Sequence, residues 1–351
     1  MKTALLHYWL TNVRGGEKVL AALGEMFPES AVYTHAFGKG MRDEGSGIRW
    51  HGHEVHETFI ASLPLGRKHP QAYLPLMPRA ARALKLDGYD LIVSSESGPI
   101  KGIRKPKDAR HVCYCHTPMR YLWDLHDEYY RDAGPLEKLA MKLFTASLRK
   151  EDLKSAESVD QFVANSKFVA ERIKRIYGRD AVVVHPPVDV EFFAQTPNDP
   201  NTQTPKHPNT WTPYYLFAGA QVKYKRLDLA EAACRKMGRR LVVAKGVSDE
   251  ELRALYANAK ALLFPGLEDF GIVPVEAQAA GTPVIAFGRG GALETVEEGR
   301  TGLFFGEQTV EALCGAIEEF ESRTWDPSVC RQRAQMFGKD CFVREMRKIL
   351  I

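Results

Sequence analysis

Short apolar runs alternate along the chain with longer stretches in which apolar residues recur every three or four positions. The short runs are typical of buried strands, and the spaced pattern predicts amphipathic helices. In the first half the pattern predicts strands at Thr3–Tyr8, Ala31–Thr34, Leu91–Ser94, His111–Cys115, Gln161–Ala164 and Ala181–His185, and helices at Glu17–Met26, Pro135–Ser158 and Lys167–Tyr177. Strands that alternate with helices favour a parallel sheet with crossover helices.

The alternation stops at residues 196–213, which read TPNDPNTQTPKHPNTWTP. Prolines and polar residues with almost no aliphatic side chains predict a linker. Beyond it the pattern predicts strands at Tyr215–Gly219, Arg240–Ala244, Ala261–Phe264, Thr282–Phe287 and Thr301–Phe305, and helices at Leu227–Met237, Asp249–Asn258, Pro274–Ala280, Val310–Ser322 and after Pro327. We therefore expect two doubly wound α/β domains, residues 1–195 and 214–335, that face each other across a cleft, and a C-terminal helix at 336–351.

Length and composition agree with this organisation. A chain of 351 residues exceeds what one hydrophobic core usually serves, and a net charge of +4 is too small to indicate nucleic acid. No apolar run approaches the ~20 residues of a membrane span, and the opening MKTALLHYWL lacks the pattern of a signal peptide, so we expect a cytosolic protein. The cysteines are scattered, and the pair Cys113 and Cys115 has no second ligand pair at zinc-site spacing, so we expect reduced thiols and no metal.

The most specific motif is EDFGIVPVE at residues 268–276, between a predicted strand and the helix that starts at Pro274. Glu268 stands in the loop and Glu276 on the helix, so the two carboxylates can hold two ends of an extended polar ligand. Gly271 lets the backbone approach that ligand closely, and the helix N-terminus favours a phosphate. The alternative is a capped surface helix with two solvated glutamates.

This motif, together with its continuation at 277–284 and the segment Gly288–Glu294, resembles the retaining GT-B glycosyltransferases of family 4. Within that family the chain looks most like bacterial mannosyltransferases that build O-antigens and exopolysaccharides. The resemblance also implies that the C-terminal helix at 336–351 crosses back to the first domain. The resemblance implies that Glu276 binds the ribose hydroxyls of a nucleotide and that Glu268 holds the donor sugar. The other donor-binding positions that it implies in this loop, largely through backbone amides, are Asp269, Phe270, Gly271, Ile272 and Val273.

Lys225 and Arg226 lie between a predicted strand and the next helix, where a cation can reach a diphosphate. The alternative is that both cations only decorate the start of the helix. In similar proteins a cation also follows the preceding glycine, but here Ala220 follows Gly219, and Lys223 or Arg226 could substitute.

A glycine-rich turn, a helix and a strand that similar proteins have before Ser248 are also absent. Either the protein carries a real deletion here or residues are missing from the sequence. We favour the second, because loss of a central unit would expose a core face.

Candidate positions in the first domain begin with Gly15 and Gly16, which open a helix after the first strand and either contact a phosphate or sugar or form a simple turn. The resemblance places His116 over the donor sugar, where its ring would bind a hydroxyl or its carbonyl would stabilise positive character at the reacting carbon. The alternative is a buried core histidine. Ser166 either caps the following helix or contacts the donor. Residues that could line the acceptor side are Arg120, Tyr121, Trp123 and Asp124.

Residues 57–86 interleave basic and apolar side chains, which suits an anionic membrane surface, although a solvated basic face is the alternative. The basic residues are Arg67, Lys68, Arg79, Arg82 and Lys85.

Together these features predict a metal-independent hexosyltransferase on the inner face of the cell membrane, with His116, Lys225 and Glu268 as its catalytic residues. The expected reaction transfers mannose from GDP-mannose to a polyprenyl-diphosphate-linked glycan, without a cofactor and without nucleic acid. A UDP-sugar donor is one alternative. A catalytically dead scaffold that binds a sugar nucleotide is the other, favoured weakly by Ala220 and the shortened segment.

Overall fold

The computed structural model describes residues 1–12, 15–41, 49–195 and 213–351, and the chain divides into two compact units. The first unit contains residues 1–184 and 345–351, and the second contains residues 185–344. Strands and crossover helices alternate in both, as the apolar pattern predicts. The predicted fold class is confirmed for both domains: each is a parallel-sheet α/β domain of the Rossmann-like kind.

The first unit is built on an eight-stranded sheet of order β3-β4-β2-β1-β5-β6-β7-β8. Its strands are β1 Thr3–His7, β2 Ala31–Thr34, β3 Arg49–Trp50, β4 His53–Glu57, β5 Leu91–Glu96, β6 Arg110–Cys115, β7 Gln161–Ala164 and β8 Ala181–Val183. Its α-helices are α1 Gly15–Met26, α2 Met77–Arg82, α3 His126–Asp132, α4 Pro135–Ser155 and α5 Lys167–Tyr177. All neighbouring strands are parallel except β3 and β4, so the carboxyl ends of β1, β5 and β6 lie at one edge.

The second unit has a five-stranded parallel sheet of order β10-β9-β11-β12-β13. Its strands are β9 Tyr215–Ala218, β10 Leu241–Ala244, β11 Ala261–Phe264, β12 Val284–Phe287 and β13 Gly302–Phe305. The helices after the first unit's five are α6 Val190–Ala194, α7 Leu227–Lys236, α8 Asp249–Asn258, α9 Ile272–Ala279, α10 Ala292–Thr295, α11 Val310–Glu321, α12 Pro327–Gln335 and α13 Lys339–Leu350. Alternate residues of β9 enter two separate cores, one on each face, which is why this strand reads as a continuous apolar run.

The boundary between the units lies at Val184, earlier than the predicted residue 195. Val190 and Phe193 are buried in a core of the second unit, and the amide of Val188 donates to the carbonyl of Phe337 at 3.0 Å. Packing therefore assigns this segment to the second unit, although it precedes the linker. The predicted linker, 196–213, lies outside the described residues except at its last position, and α13 divides after Arg344 between the two units.

The shortened segment lies at the edge of the second sheet, because β10 is an outer strand. The chain turns at Gly246, which has a φ of +60°, and enters α8 at Asp249. Leu241 and Val243 of β10 remain half-buried. The central strands keep neighbours on both sides, so the shorter segment exposes no core face. The reason for expecting missing residues therefore does not hold, and the chain is continuous here.

Candidate functional site

The loop between β11 and α9 carries the most specific motif in the second unit. Gly271 adopts a left-handed conformation, with a φ of +92°, and is the N-cap of α9, which starts at Ile272, two residues before Pro274. The amides of the first helical turn have no acceptor within the helix, so this terminus favours an anion. Pro274 lacks an amide hydrogen and therefore loses no helical hydrogen bond there.

A glycine loop at residues 288–291 fixes the position of this motif. The amide of Gly291 donates to the carbonyl of Glu268 at 2.9 Å, and a Cβ at Gly291 would lie only 2.2 Å from the Cα of Phe270. The side chain of Phe270 is buried between His185 and Phe337, at ring-centroid distances of 5.3 and 5.6 Å. Phe270 thus anchors the loop and can offer a ligand only its backbone.

Lys225 and Glu268 meet in the second unit. The Nζ of Lys225 lies 2.9 Å from the Oε1 of Glu268, with 18% and 16% of the two side chains exposed. Glycines make this approach possible: a Cβ at Gly219 would lie 3.1 Å from the Nζ of Lys225, and one at Gly266 would lie 2.7 Å from its Cα. The pair therefore presents an ammonium and a carboxylate side by side, both still accessible to a ligand.

Arg226 is directed elsewhere. It begins α7 with a φ of +56°, and its guanidinium pairs with the carboxylate of Asp228 at 3.0 Å. This pairing favours the alternative in which Arg226 decorates the start of the helix. Of the other loop positions, Asp269, Ile272 and Val273 are half-buried.

Glu276 is more enclosed than a solvated surface glutamate, since only 6% of it is exposed. The hydroxyl of the buried Tyr256, on α8, donates to its Oε2 at 3.1 Å. Burial and the neighbouring carboxylate raise the pKa of Tyr256 well above its ordinary value, so the phenol keeps its proton and remains a donor. Glu276 is thereby held in one orientation at the side of α9.

A cavity of about 380 Å³ opens at the carboxyl ends of β9 and β10. It is lined by Gly219, Ala220, Gln221, Ala244, Lys245, Gly246, Val247 and Leu252. The turn that replaces the absent unit therefore forms one of its walls, and Ala220 offers no cation to it.

In the first unit, the carboxyl ends of β1, β5 and β6 bring His7, Ser95 and His116 together beside Gly16. The Oγ of Ser95 lies 2.8 Å from the Nε2 of His116 and 3.3 Å from the Nδ1 of His7. Burial, reinforced by the nearby His7, lowers the pKa of His116 to about 3, so its ring is neutral at physiological pH. A Cβ at Gly16 would lie 3.4 Å from the Nε2 of His116.

Ser166 takes the capping role of its two alternatives. It is fully buried, and its Oγ accepts a hydrogen bond from the amide of Val169 at 3.1 Å. The hydroxyl donates to the Oδ1 of Asn165, whose Nδ2 donates to the carbonyl oxygen of His116 at 2.9 Å. Asn165, which the sequence did not single out as a site residue, therefore orients the backbone of His116.

The predicted acceptor residues Tyr121, Trp123 and Asp124 are engaged within the first unit. The hydroxyl of Tyr121 donates to the sulfur of Met119 at 2.9 Å. The indole of Trp123 donates to the carboxylate of Asp152 at 2.8 Å. Asp124 forms ion pairs with Arg172 and Arg175. These contacts stabilise the fold of the first unit. Arg120 is half-buried, and the acceptor role of these residues stays a prediction.

The stretch 57–86 folds into short 3-10 helices and α2, and its charges are partly paired. Arg67 pairs with Glu57 and Arg82 with Glu151 of α4, both at 2.6 Å. Lys68, Arg79 and Lys85 are exposed. Apolar side chains of this stretch that are also exposed are Phe59, Leu65 and Leu76.

Helix α4 exposes a long apolar surface that the sequence did not predict. Asp152 is its one buried residue. Five large apolar side chains of α4 are exposed by 42–83%, and four of them lie in its first half: Leu136, Leu139, Leu143 and Phe144. Lys142, Lys150 and Lys154 are exposed on the same helix. We call this set of seven residues the α4 surface.

Within the described ranges, no cluster of three or more His, Cys, Asp or Glu side chains has the arrangement of a metal site. None of the helices in the described part of the chain has the length and hydropathy that crossing a bilayer requires.

The two Rossmann-like domains, with a charged pair and a helix N-terminus beside a glycine loop in the second, define a glycosyltransferase of the GT-B class. The chain belongs to glycosyltransferase family 4. The family model described as "Glycosyltransferase Family 4" matches residues 13–192, more than half of the chain, and the one described as "Glycosyl transferases group 1" matches residues 213–337.

Curated relatives match over parts of their length. A GDP-mannose-dependent alpha-(1-6)-phosphatidylinositol monomannoside mannosyltransferase of Mycobacterium tuberculosis is 40% identical over 82 residues, 21% of this chain and 21% of the relative. A D-inositol 3-phosphate glycosyltransferase of Mycobacteroides abscessus is 28% identical over 199 residues, 46% of this chain and 44% of the relative. The chain therefore spans less than half the length of these relatives.

Solved structures resemble the whole chain. HepE from Anabaena in complex with UDP has a TM-score of 0.70 at 16% identity, covering 100% of this chain and 99% of that one. Sucrose-phosphate synthase from Thermosynechococcus elongatus has a TM-score of 0.74 at 17% identity, covering 99% and 98%. At these identities the likeness shows the fold.

Proposed function

We propose that the protein is a retaining hexosyltransferase that transfers mannose from GDP-mannose to a lipid-linked oligosaccharide in surface polysaccharide synthesis. The observation that carries this proposal is the Lys225–Glu268 pair beside the N-terminus of α9. An ammonium and helix amides suit a diphosphate, while a carboxylate suits sugar hydroxyls. The mannosyltransferase of M. tuberculosis, similar over 82 residues, supports the choice of mannose and GDP.

In this proposal Glu268 binds a hydroxyl of the donor sugar, Lys225 and the first turn of α9 bind the diphosphate, and Glu276 binds the ribose. Glu268 is paired with an ammonium rather than with a second carboxylate, which disfavours the two-carboxylate chemistry of glycosidases. The acceptor hydroxyl attacks from the side of the leaving group, and a donor phosphate oxygen takes its proton. Lys225 stabilises the charge that develops on the departing diphosphate. Because the protein supplies this positive charge, we expect no metal requirement.

The base of the donor is the first point to test, because UDP is the main alternative. Thermal melting with GDP, UDP and ADP should show the largest stabilisation with GDP, since bound ligand stabilises by mass action. The Glu276→Ala variant, which lacks the proposed ribose contact, should lose most of that shift. A larger shift with UDP would replace GDP-mannose in the proposal.

Turnover tests the reaction itself. The parent protein should transfer mannose from GDP-mannose to a lipid-linked acceptor, and NMR of the product should show the α-anomeric configuration of the donor. A product of inverted configuration would contradict the retaining mechanism. Nucleotide binding without transfer from any sugar nucleotide would support the alternative of a catalytically dead scaffold.

We further propose that the protein docks on the cytosolic face of an anionic membrane, where a lipid-linked acceptor lies. The predicted basic stretch 57–86 is weakened by its two ion pairs, but the α4 surface adds exposed apolar side chains and lysines. Arg82 joins the two regions through Glu151 of α4 at 2.6 Å. Each exposed cation near an anionic surface contributes about 1 kcal/mol, and the leucines can enter the headgroup region.

Liposome co-sedimentation tests this surface. A variant that carries Leu139→Ser, Leu143→Ser and Phe144→Ser should lose most binding to vesicles of anionic lipid. The control is Val182→Ser, which removes an apolar side chain of the same unit, 46% exposed, away from α4. Binding of the parent should fall as salt is raised and should be weak on neutral vesicles. Equal binding of the triple variant and the parent would exclude the α4 surface.

A further inference from the structure

Four polar side chains form a line through the first unit from α1 to the end of β6. The Oε1 of Glu17 lies 3.5 Å from the Nε2 of His7, the Nδ1 of His7 lies 3.3 Å from the Oγ of Ser95, and that Oγ lies 2.8 Å from the Nε2 of His116. Glu17, His7 and Ser95 are each at most 2% exposed, whereas His116 is half-buried. Only His116 is thus open to a ligand.

The carboxylate at the closed end decides the direction of the hydrogen bonds. Glu17 lies in the first turn of α1, where the helix dipole favours its ionised, accepting form. The Nε2 of His7 does not meet hydrogen-bond geometry with that carboxylate, but the negative charge 3.5 Å away favours a hydrogen on this nitrogen, because its lone pair would otherwise face the carboxylate oxygen in a buried site. The Nδ1 of His7 is consequently an acceptor for the hydroxyl of Ser95, and that Oγ accepts from the Nε2–H of His116.

We propose that Glu17, His7 and Ser95 are positioning residues that hold His116 as the neutral Nε2–H tautomer, so that its Nδ1 accepts a hydrogen bond from a ligand hydroxyl. If the protein is the glycosyltransferase proposed above, that hydroxyl belongs to the donor sugar. Asn165 fixes the carbonyl of the same residue, so ring and backbone of His116 are both held in place. The sequence motif alone could not specify which nitrogen is free.

A second serine–histidine pair on the same strands provides an internal comparison. The Oγ of Ser94 lies 2.9 Å from the Nε2 of His111, and the Nδ1 of His111 lies 3.0 Å from the carbonyl oxygen of Ser158. A carbonyl only accepts, so the Nδ1 of His111 carries the hydrogen and its Nε2 accepts from Ser94. His111 and His116 should therefore have opposite tautomers.

Correlation NMR of the imidazole nitrogens in the ¹⁵N-labelled full chain reads these tautomers directly, without substrate. We expect the Nε2–H form for His116 and the Nδ1–H form for His111 near neutral pH. Ser95→Ala should mix the two tautomers of His116 and leave His111 unchanged. Ser94→Ala should change neither ring, because the carbonyl of Ser158 still holds His111 in its Nδ1–H form. Glu17→Gln tests the role of the buried carboxylate. The glutamine amide can donate a hydrogen bond to the Nε2 of His7, which would reverse the direction of each hydrogen bond from His7 to His116.

The Nδ1–H form of His116 in the parent, or a tautomer that neither Ser95→Ala nor Glu17→Gln changes, would overturn the proposal. Kinetics add a second readout: Ser95→Ala should lower kcat/KM about tenfold, as loss of one hydrogen-bond partner does, with Ser94→Ala within about twofold of the parent. A kcat/KM equally reduced in both variants would indicate a structural effect and count against the proposal. Absence of glycosyl transfer by the parent would refute the proposed function and leave the tautomer result standing.

Discussion

Replacement of Lys225 by alanine should separate a catalytic cation from a structural one. Its Nζ lies 2.9 Å from Glu268 beside the helix N-terminus that would receive a diphosphate. Removal of one preorganised group that stabilises transition-state charge costs about 2.7–4 kcal/mol, which corresponds to a 10²–10³-fold loss of kcat. We therefore expect Lys225→Ala to lower turnover by at least about 100-fold.

The cost to stability should be much smaller. The pair is partly exposed, so it lies between exposed ion pairs, worth at most about 1 kcal/mol, and buried ones, whose breakage costs about 3–5 kcal/mol. We expect a loss of roughly 1–2 kcal/mol, which shifts thermal melting modestly and leaves the unit folded.

Lys236 supplies a matched control in the same unit. Its Nζ also lies 2.9 Å from a glutamate oxygen, that of Glu311, but both side chains are more than half exposed on the surface of α7 and α11. Lys236→Ala should keep turnover within about twofold, since surface substitutions of this kind have small effects. Turnover of the folded Lys225→Ala protein above about a tenth of that of the parent would refute the catalytic assignment.

Three further outcomes are expected. Gly16→Ala should fold normally, with an unchanged melting curve, because the new Cβ would make only ordinary contacts near 3.4 Å. Its methyl group would cover the ring of His116, so steady-state kinetics should show the KM for the donor raised about tenfold. Tyr256→Phe should weaken nucleotide binding about tenfold by calorimetry, because Glu276 loses a hydrogen bond to its charged form; unchanged affinity would remove the ribose role. Burial lowers the pKa of His35 and of His111 to about 4, so between pH 6.5 and 4 the unfolded chain binds more protons than the folded chain does. Denaturant titrations should therefore show that the first unit loses stability as the pH falls through this range, by up to roughly 3 kcal/mol for each ring.

The sequence determined the fold class and the positions of the main strands and helices. Strands of a parallel sheet are buried on both faces, so β1, β9 and β11 read as apolar runs whatever surrounds them. The pair β3 and β4 was missed because HGHEVHE has a single aliphatic residue, Val55, and gains its order from pairing with β2. The motif at 268–276 was readable because its glycine, proline and two glutamates stand close together in the chain.

Tertiary structure decided which side chains are available to a ligand. Trp123 and Asp124 suit a sugar by residue type, yet their partners come from distant helices of the first unit: Asp152 of α4, and Arg172 and Arg175 of α5. The exposure of the apolar side chains of α4 could not be predicted from the sequence either, because an apolar position on a helix does not reveal whether another element covers it.

The pairing of Lys225 with Glu268, and the line from Glu17 to His116, also required the folded chain. Parallel strands gather the ends of β1, β5 and β6 at one edge of the sheet, although these strands are far apart in sequence. Local sequence fixes what each strand end carries. The order of strands in the sheet determines which ends are neighbours. That order results from long-range packing, so the local sequence does not reveal it.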